Sequence, residues 1–225
     1  MSMRIITAES TDEFVRLAQQ WITGTILEAQ EDQEKQVLIG LSGGKTPGAI
    51  YTALSEESMI AWERTLFFLT DERYIDSKAS ESNQQMVWST LLTNEGARAR
   101  TLFPNTALPL ADTVSSYNDR LRDMKPDIVI LGMGEDGHIA SLFPPLPKEA
   151  YGPQKVIHTT TDTFSVRDRI SVTLPFLISA SHRLFLITGA EKTKLLETMR
   201  QEPEDFNRYP AQYLFDERTT WLVGP

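Results

Sequence analysis

The sequence predicts an α/β fold in which a mostly parallel sheet is covered by helices on both faces. Short apolar runs alternate along the chain with segments of helical hydrophobic periodicity, an order typical of repeated strand-helix-strand units. The run Ile128–Leu131 is rich in β-branched residues and is followed by Gly132, Gly134 and Gly137. This pattern is typical of a buried parallel strand that leaves the sheet through a tight loop.

The predicted strands are short runs of apolar and β-branched residues bounded by turn residues. In chain order they cover residues 4–8, 37–41, 66–69, 128–132, 156–160, 170–174, 184–188 and 220–223.

The predicted helices follow capping residues. Ser10 or Thr11 is expected to cap the first helix, and Thr46 to cap a second that Pro47 begins, since proline loses no hydrogen bond in a first turn. The first helix has an apolar face made of Phe14, Leu17, Ala18, Trp21 and Ile22. Further helices are predicted over residues 82–92, 111–122 and 191–200.

Composition narrows the classes of function. The formal net charge is −9, which disfavours nucleic acid and anionic membranes as partners, because both attract basic surfaces. Cysteine is absent, so disulfides and thiolate chemistry are excluded. No apolar run approaches the roughly 18 residues of a membrane-spanning helix, and acidic residues interrupt the N-terminus. We expect a single domain over residues 1–225, without internal repeats, in the cytoplasm.

The loop after residue 131 carries Asp136 and His138. Open α/β sheets bind ligands at the carboxyl ends of their strands, so an acid and an imidazole in this loop are candidate functional residues. Two alternatives exist. The glycines match the dinucleotide fingerprint G-x-G-x-x-G, but the prolines from Pro144 onward arrive too soon for the long helix that this fingerprint requires. The histidine could also simply fill a turn.

A second loop, residues 42–46, joins a predicted strand to a predicted helix. Its residues Ser42, Gly43 and Gly44 are small and would expose backbone N–H groups at a helix N-terminus, where anions bind. Lys45 suggests a nucleotide-binding P-loop, but one residue too few separates its glycines. An anion-binding turn and an ordinary tight turn both remain open.

A third loop carries Asp71, Glu72 and Arg73, directly after a predicted strand. Charged triplets are usually solvated surface. Because this triplet leaves a strand at the same end as the other two loops, all three could converge on one crevice of a doubly wound fold.

Five motifs occur in order over nearly the whole chain: SGGKTP, DER followed by ESN, GMGEDGHIASLFP, RISVTLP from Arg169, and TGAEKTKLL around Lys192. Together they resemble the 6-phosphogluconolactonase family. The resemblance implies a Rossmann-like three-layer α/β/α sandwich, similar to glucosamine-6-phosphate deaminase and ribose-5-phosphate isomerase. It also implies hydrolysis of 6-phospho-D-glucono-1,5-lactone to 6-phosphogluconate in the oxidative pentose phosphate pathway, by a monomer without redox cofactor or metal.

The chemistry of lactone hydrolysis suggests roles for the matching residues. His138 would activate water as a general base, with Asp136 orienting it, although residues two apart can also point to opposite sides. Arg73 would neutralise charge near the carbonyl or the acid product. The resemblance implies that Arg169 and Lys192 hold the phosphate, with Arg167 as a neighbour. The remaining substrate-binding candidates are Ser42, Gly43, Gly44, Lys45, Thr46 and Asp71.

Two other functions stay open. The related deaminases follow the histidine loop with Phe-Asn-Glu-Pro, whereas this chain has Phe143 in place of the glutamate and Arg73 in place of a tyrosine. Phenylalanine cannot transfer a proton, so a ring-opening deaminase is disfavoured. A noncatalytic sugar-phosphate sensor is the third possibility, but the acidic chain has no evident DNA-reading module.

Overall fold

A computed structural model of the protein describes residues 3–225. Its main sheet has seven strands, which are β1 (Arg4–Thr7), β2 (Val37–Leu41), β3 (Thr65–Leu69), β5 (Arg100–Leu102), β6 (Ile128–Leu131), β9 (His182–Thr188) and β10 (Thr219–Gly224). All are parallel, and their order in the sheet is β1-β10-β9-β6-β2-β3-β5.

Helices cover both faces of this sheet, as the alternation of elements predicts. Successive residues of the buried strands enter two separate apolar cores: Ile128 and Ile130 pack into one, and Val129 and Leu131 into the other. The first core is shared with α1 (Thr11–Ala29), α2 (Lys45–Leu54) and α3 (Asn83–Thr90). The second is shared with α4 (Leu110–Leu121), α5 (Leu174–Ser179) and α6 (Ala190–Gln201). None of the helices in the described part of the chain has the length and apolarity needed to cross a membrane.

A second sheet differs from the expectation of one largely parallel sheet. Three antiparallel strands, β4 (Asp71–Arg73), β8 (Asp168–Val172) and β7 (Val156–Thr160), form it in that order. The triplet at 71–73, predicted as a loop, is therefore a short edge strand. The sequences of β7 and β8 predict strands. They do not indicate to which sheet these strands belong.

The structure differs from the sequence predictions at the start of α2, at the end of β8 and in the presence of β5. Gly44, not Thr46, is the N-cap of α2, because its positive φ of 113° turns the chain into the helix two residues early. Residue 174 belongs to α5 rather than to a strand over 170–174, since Pro175 favours a first helical turn. Strand β5 was not predicted, because it has three residues and two of them are exposed.

The order of the strands creates a crevice at the centre of the sheet. After β2 the chain builds β3 and β5 on one side, then crosses to β6, β9 and β10 on the other. The boundary between β2 and β6 is therefore a topological switch point, where loops at the carboxyl ends diverge and leave room for a ligand. The loops carrying Gly43 and His138 follow these two strands.

Glu72 fixes the small sheet to helix α3. Its side chain is buried, and its carboxylate accepts hydrogen bonds from the backbone N–H groups of Arg73, Asn83 and Gln84 at 2.7–2.8 Å and from the Ser82 hydroxyl at 3.0 Å. Burial raises the pKa of Glu72, while these four donors favour the carboxylate. Glu72 thus satisfies the N–H groups of the first two residues of α3, Asn83 and Gln84.

We predict that Glu72→Gln destabilises the fold by about 1–3 kcal/mol, because its amide NH₂ would face backbone N–H donors. Urea unfolding followed by circular dichroism measures this loss. Glu204→Gln is the matched control, since Glu204 is exposed. Equal stability of the two variants would contradict the assigned role of Glu72.

Candidate active site

A cavity of about 630 Å³ opens at the switch point, and eleven of the candidate residues from the sequence line it. The loops after β2 and β6 converge there, together with strand β4, the first turn of α6 and the start of β8. The eleven are Ser42, Gly43, Gly44, Lys45, Thr46, Asp71, Arg73, Asp136, His138, Arg169 and Lys192.

Asp136 and His138 are in direct contact. The Oδ1 atom of Asp136 lies 2.5 Å from Nδ1 of His138 and also accepts the His138 backbone N–H at 3.1 Å. The two side chains therefore point to the same side. Within residues 3–225, no group hydrogen-bonds the second ring nitrogen, Nε2.

Gly134 makes this pairing possible. A Cβ atom at this position would lie 2.1 Å from Nδ1 of His138 and 2.6 Å from Oδ1 of Asp136. The loop closes because Gly134 donates its N–H to the His138 carbonyl at 2.9 Å and accepts that of Gly137 at 3.1 Å. Gly137 has a φ of 81°, a conformation that favours glycine. The glycine spacing thus serves to pack the imidazole against the backbone.

The charge state of Asp136 fixes the tautomer of His138. Burial disfavours the charged carboxylate, but the hydrogen bonds and the positive charge of His138 outweigh it and hold the pKa of Asp136 below its ordinary value. An ionised carboxylate only accepts hydrogen bonds, so Nδ1 of His138 must carry the proton. In the neutral ring, Nε2 then has the free lone pair and can act as a base.

Two arginines face each other across the small sheet. Arg73 in β4 is the register partner of Arg169 in β8. Burial, and then the positive charge of Arg73, lower the pKa of Arg169, although Asp71 and Glu72 oppose this. Like charges directly opposite each other destabilise a sheet, so their presence indicates a function other than stability.

Two lysines face the cavity from the first turns of helices. Lys45 begins α2 after Gly44, and Lys192 lies in the first turn of α6 after Gly189. Neither N-cap glycine offers a capping side chain, and helix N-termini attract anions. Across the described chain, none of the four cationic side chains of the cavity has a carboxylate partner within ion-pair distance. In a protein of net charge −9, this is a local concentration of unneutralised positive charge.

Some candidates make contacts within the protein. The Ser42 hydroxyl donates to the Ile130 carbonyl at 2.9 Å, and Thr46 Oγ1 lies 3.2 Å from Thr188 Oγ1. Asp71 accepts the Ser141 hydroxyl at 2.6 Å. Arg167 does not line the cavity and pairs with Asp162 on an exposed loop.

Asn83 and Phe164 line the cavity and were not identified from the sequence. Asn83 accepts from Arg73 Nη1 at 2.8 Å and donates to the Asp71 carbonyl at 2.8 Å, and its amide packs against Gly43, where a Cβ would lie 1.8 Å from Oδ1. The motif DER followed by ESN was the available signal for Asn83. Phe164 lies in the loop between β7 and β8 and had no such signal.

The described residues contain no group of three His, Asp or Glu side chains placed to hold a metal ion.

Comparison with known proteins identifies the class to which this fold and site belong. A family model described as glucosamine-6-phosphate isomerases/6-phosphogluconolactonase matches residues 9–221. The chain therefore belongs to this family.

The family description names two activities, and the similar proteins described next carry the name of one of them. A protein of Dictyostelium discoideum, named probable 6-phosphogluconolactonase, is 35% identical over 93% of this chain and 90% of its own length. The 6-phosphogluconolactonase of Thermotoga maritima is 30% identical over 89% of this chain and 90% of its own. A crystal structure of 6-phosphogluconolactonase from that organism superimposes with a TM-score of 0.86 at 29% identity, covering both chains completely.

We predict that Asp136 titrates below the ordinary aspartate pKa of about 3.9 and that His138→Ala raises its midpoint. The variant removes the charge and ring hydrogen bond that favour the carboxylate, while burial remains. Carboxyl ¹³C NMR measures both midpoints. An unchanged midpoint in the variant would show that His138 does not hold the Asp136 carboxylate ionised.

Proposed function

We propose that this protein hydrolyses 6-phospho-D-glucono-1,5-lactone to 6-phosphogluconate, with His138 activating water. The observation that carries the proposal is an imidazole hydrogen-bonded to a carboxylate in a cavity with four cationic side chains. Among residues 3–225, its Nε2 has no hydrogen-bond partner and the four cations have no ion-pair partner. A phosphorylated lactone needs both the base and the cations, because an activated water must attack its carbonyl and its remote phosphate must be held in place. The names of the relatives agree with this substrate.

The first step is attack of water on the lactone carbonyl. Nε2 of His138 takes a proton as the water oxygen bonds to the carbonyl carbon, and the negative charge moves to the carbonyl oxygen. When the tetrahedral intermediate collapses, the bond to the ring oxygen breaks and the same imidazole returns the proton to that oxygen. Asp136 stabilises the positively charged ring between these steps. The products are the open-chain hydroxyl and a carboxylic acid, which ionises.

The other residues of the site would bind the negative charges of the substrate. Arg73 and the backbone amides of Gly43 and Gly44 are the proposed partners of the developing oxyanion. Arg169 and Lys192 are the proposed phosphate ligands, because Arg169 is buried, its Nη groups have no partner among residues 3–225, and Lys192 adds the positive end of α6. Ser42, Lys45, Thr46 and Asp71 would line the sugar and phosphate region.

The deaminase reaction fits this cavity less well. Phe143 stands where the related isomerases have a glutamate, and its ring centroid lies 4.7 Å from that of His138. A proton relay through that position is therefore impossible, whereas lactone hydrolysis needs only one group to move the proton.

The proposal extends to the organisation of the protein. We propose one domain over residues 1–225 that acts as a cytoplasmic monomer without a cofactor. Its support is the family resemblance, the acidic composition and the placement of all eleven candidate residues on one cavity of one chain.

We predict that His138→Ala lowers the enzymatic rate by about 100- to 10,000-fold, the usual contribution of a general base. Acid release from freshly made 6-phosphogluconolactone is followed in a pH-stat, with spontaneous hydrolysis subtracted. His158→Ala is the matched control, because His158 also pairs with an aspartate, Asp168, at 2.8 Å but does not line the cavity.

The control variant should retain the wild-type rate. Undiminished turnover by His138→Ala would exclude this histidine as the base. Ammonia release from glucosamine 6-phosphate, assayed in parallel, would instead favour the isomerase reaction.

A further inference from the structure

Phe164 is a large apolar side chain that is 46% exposed at the mouth of the cavity. It lies in the loop that joins β7 to β8. Two hydrogen bonds close this loop: Thr161 donates its N–H to the Arg167 carbonyl at 3.1 Å, and Thr163 donates its N–H to the Thr161 hydroxyl at 3.2 Å. The loop therefore holds an exposed ring in a defined place, where packing into the core does not explain it.

The ring of Phe164 contacts the guanidinium of Arg169. The Arg169 Cζ atom lies 5.5 Å from the ring centroid, within the range of a cation–π interaction. On the same loop, the Val166 carbonyl accepts the Arg169 Nε–H at 2.8 Å. The guanidinium is thus positioned by a neutral ring and a neutral carbonyl, and within the described chain no carboxylate lies within ion-pair distance of it. Both of its Nη groups are left to bind an anion.

The same ring also approaches the proposed base. Its centroid lies 6.0 Å from that of His138 in an edge-to-face arrangement, and 5.9 Å from that of Phe143. Phe164 therefore bridges the two functional ends of the cavity, the buried arginine and the imidazole.

We infer that Phe164 is a positioning residue that holds the Arg169 guanidinium toward the phosphate of the substrate and so favours phosphorylated over unphosphorylated lactones. The inference rests on the proposed function. It goes beyond it in assigning substrate discrimination to a side chain that touches neither the reacting carbonyl nor the proton in transfer.

The test compares Phe164→Leu, which keeps apolar bulk but removes the π face, with Phe164→Tyr, which keeps it. For 6-phosphogluconolactone, Phe164→Leu should raise KM about 10-fold and change kcat less than about 3-fold. Phe164→Tyr should keep the wild-type KM. For unphosphorylated glucono-1,5-lactone, Phe164→Leu should lower kcat/KM much less than for 6-phosphogluconolactone, because this substrate has no phosphate for Arg169 to hold. Tyr151→Leu is the control, since Tyr151 is comparably exposed and lies outside the cavity.

A double-mutant cycle identifies the partner. In an Arg169→Gln background, the further change Phe164→Leu should have no effect on KM, because the side chain that it positions is gone. An equal loss of kcat/KM toward both lactones, or full additivity with Arg169→Gln, would overturn the inference.

Calorimetric binding of 6-phosphogluconate separates this inference from the proposed reaction, because it requires no turnover. Phe164→Leu should weaken binding about 10-fold and Phe164→Tyr should not. If wild-type protein binds 6-phosphogluconate but hydrolyses no lactone, the proposed reaction is wrong. The binding affinities of the two variants then still test the positioning role. Equal affinity of wild type and Phe164→Leu would refute the positioning role whatever the reaction.

Discussion

The hydrogen bond between Asp136 and His138 is the constraint on which the rest of the site depends. Its 2.5 Å length requires a backbone without a side chain at Gly134 and a loop that turns sharply at Gly137. The loop in turn requires β6 to end at the centre of the sheet, beside the switch point. A lowered pKa keeps Asp136 ionised, which leaves the lone pair of the neutral imidazole on Nε2 of a side chain that lines the cavity.

Charge distribution is the second organising feature. The chain is acidic overall, yet Arg73, Arg169, Lys45 and Lys192 face one cavity without ion-pair partners among residues 3–225. Neutral groups hold the two arginines instead: the Asn83 amide for Arg73, and the Val166 carbonyl and Phe164 ring for Arg169. Carboxylates in those places would neutralise the positive charge, whereas amides, carbonyls and rings orient it and leave it available to an anion.

Much of this arrangement could be predicted from the sequence, because its causes are local. The apolar runs specify the main strands, and glycines after β2 and β6 mark loops at their carboxyl ends. Contacts between distant segments could not be predicted. The membership of β7 and β8 in a separate sheet, the burial of Glu72 under the start of α3, and the placement of Phe164 over Arg169 depend on how remote elements pack. Helix α2 begins at Lys45 rather than after Thr46 because of the φ of Gly44, which the sequence permits but does not require.

A crystal structure with bound 6-phosphogluconate tests the central claim most directly. We predict that the product carboxylate lies within about 3.5 Å of His138 Nε2, the reach of a proton-transferring group, while the phosphate binds Arg169 and Lys192. A phosphate bound against His138, with the carboxylate at the two cationic residues, would contradict the proposed orientation and the role of the imidazole with it.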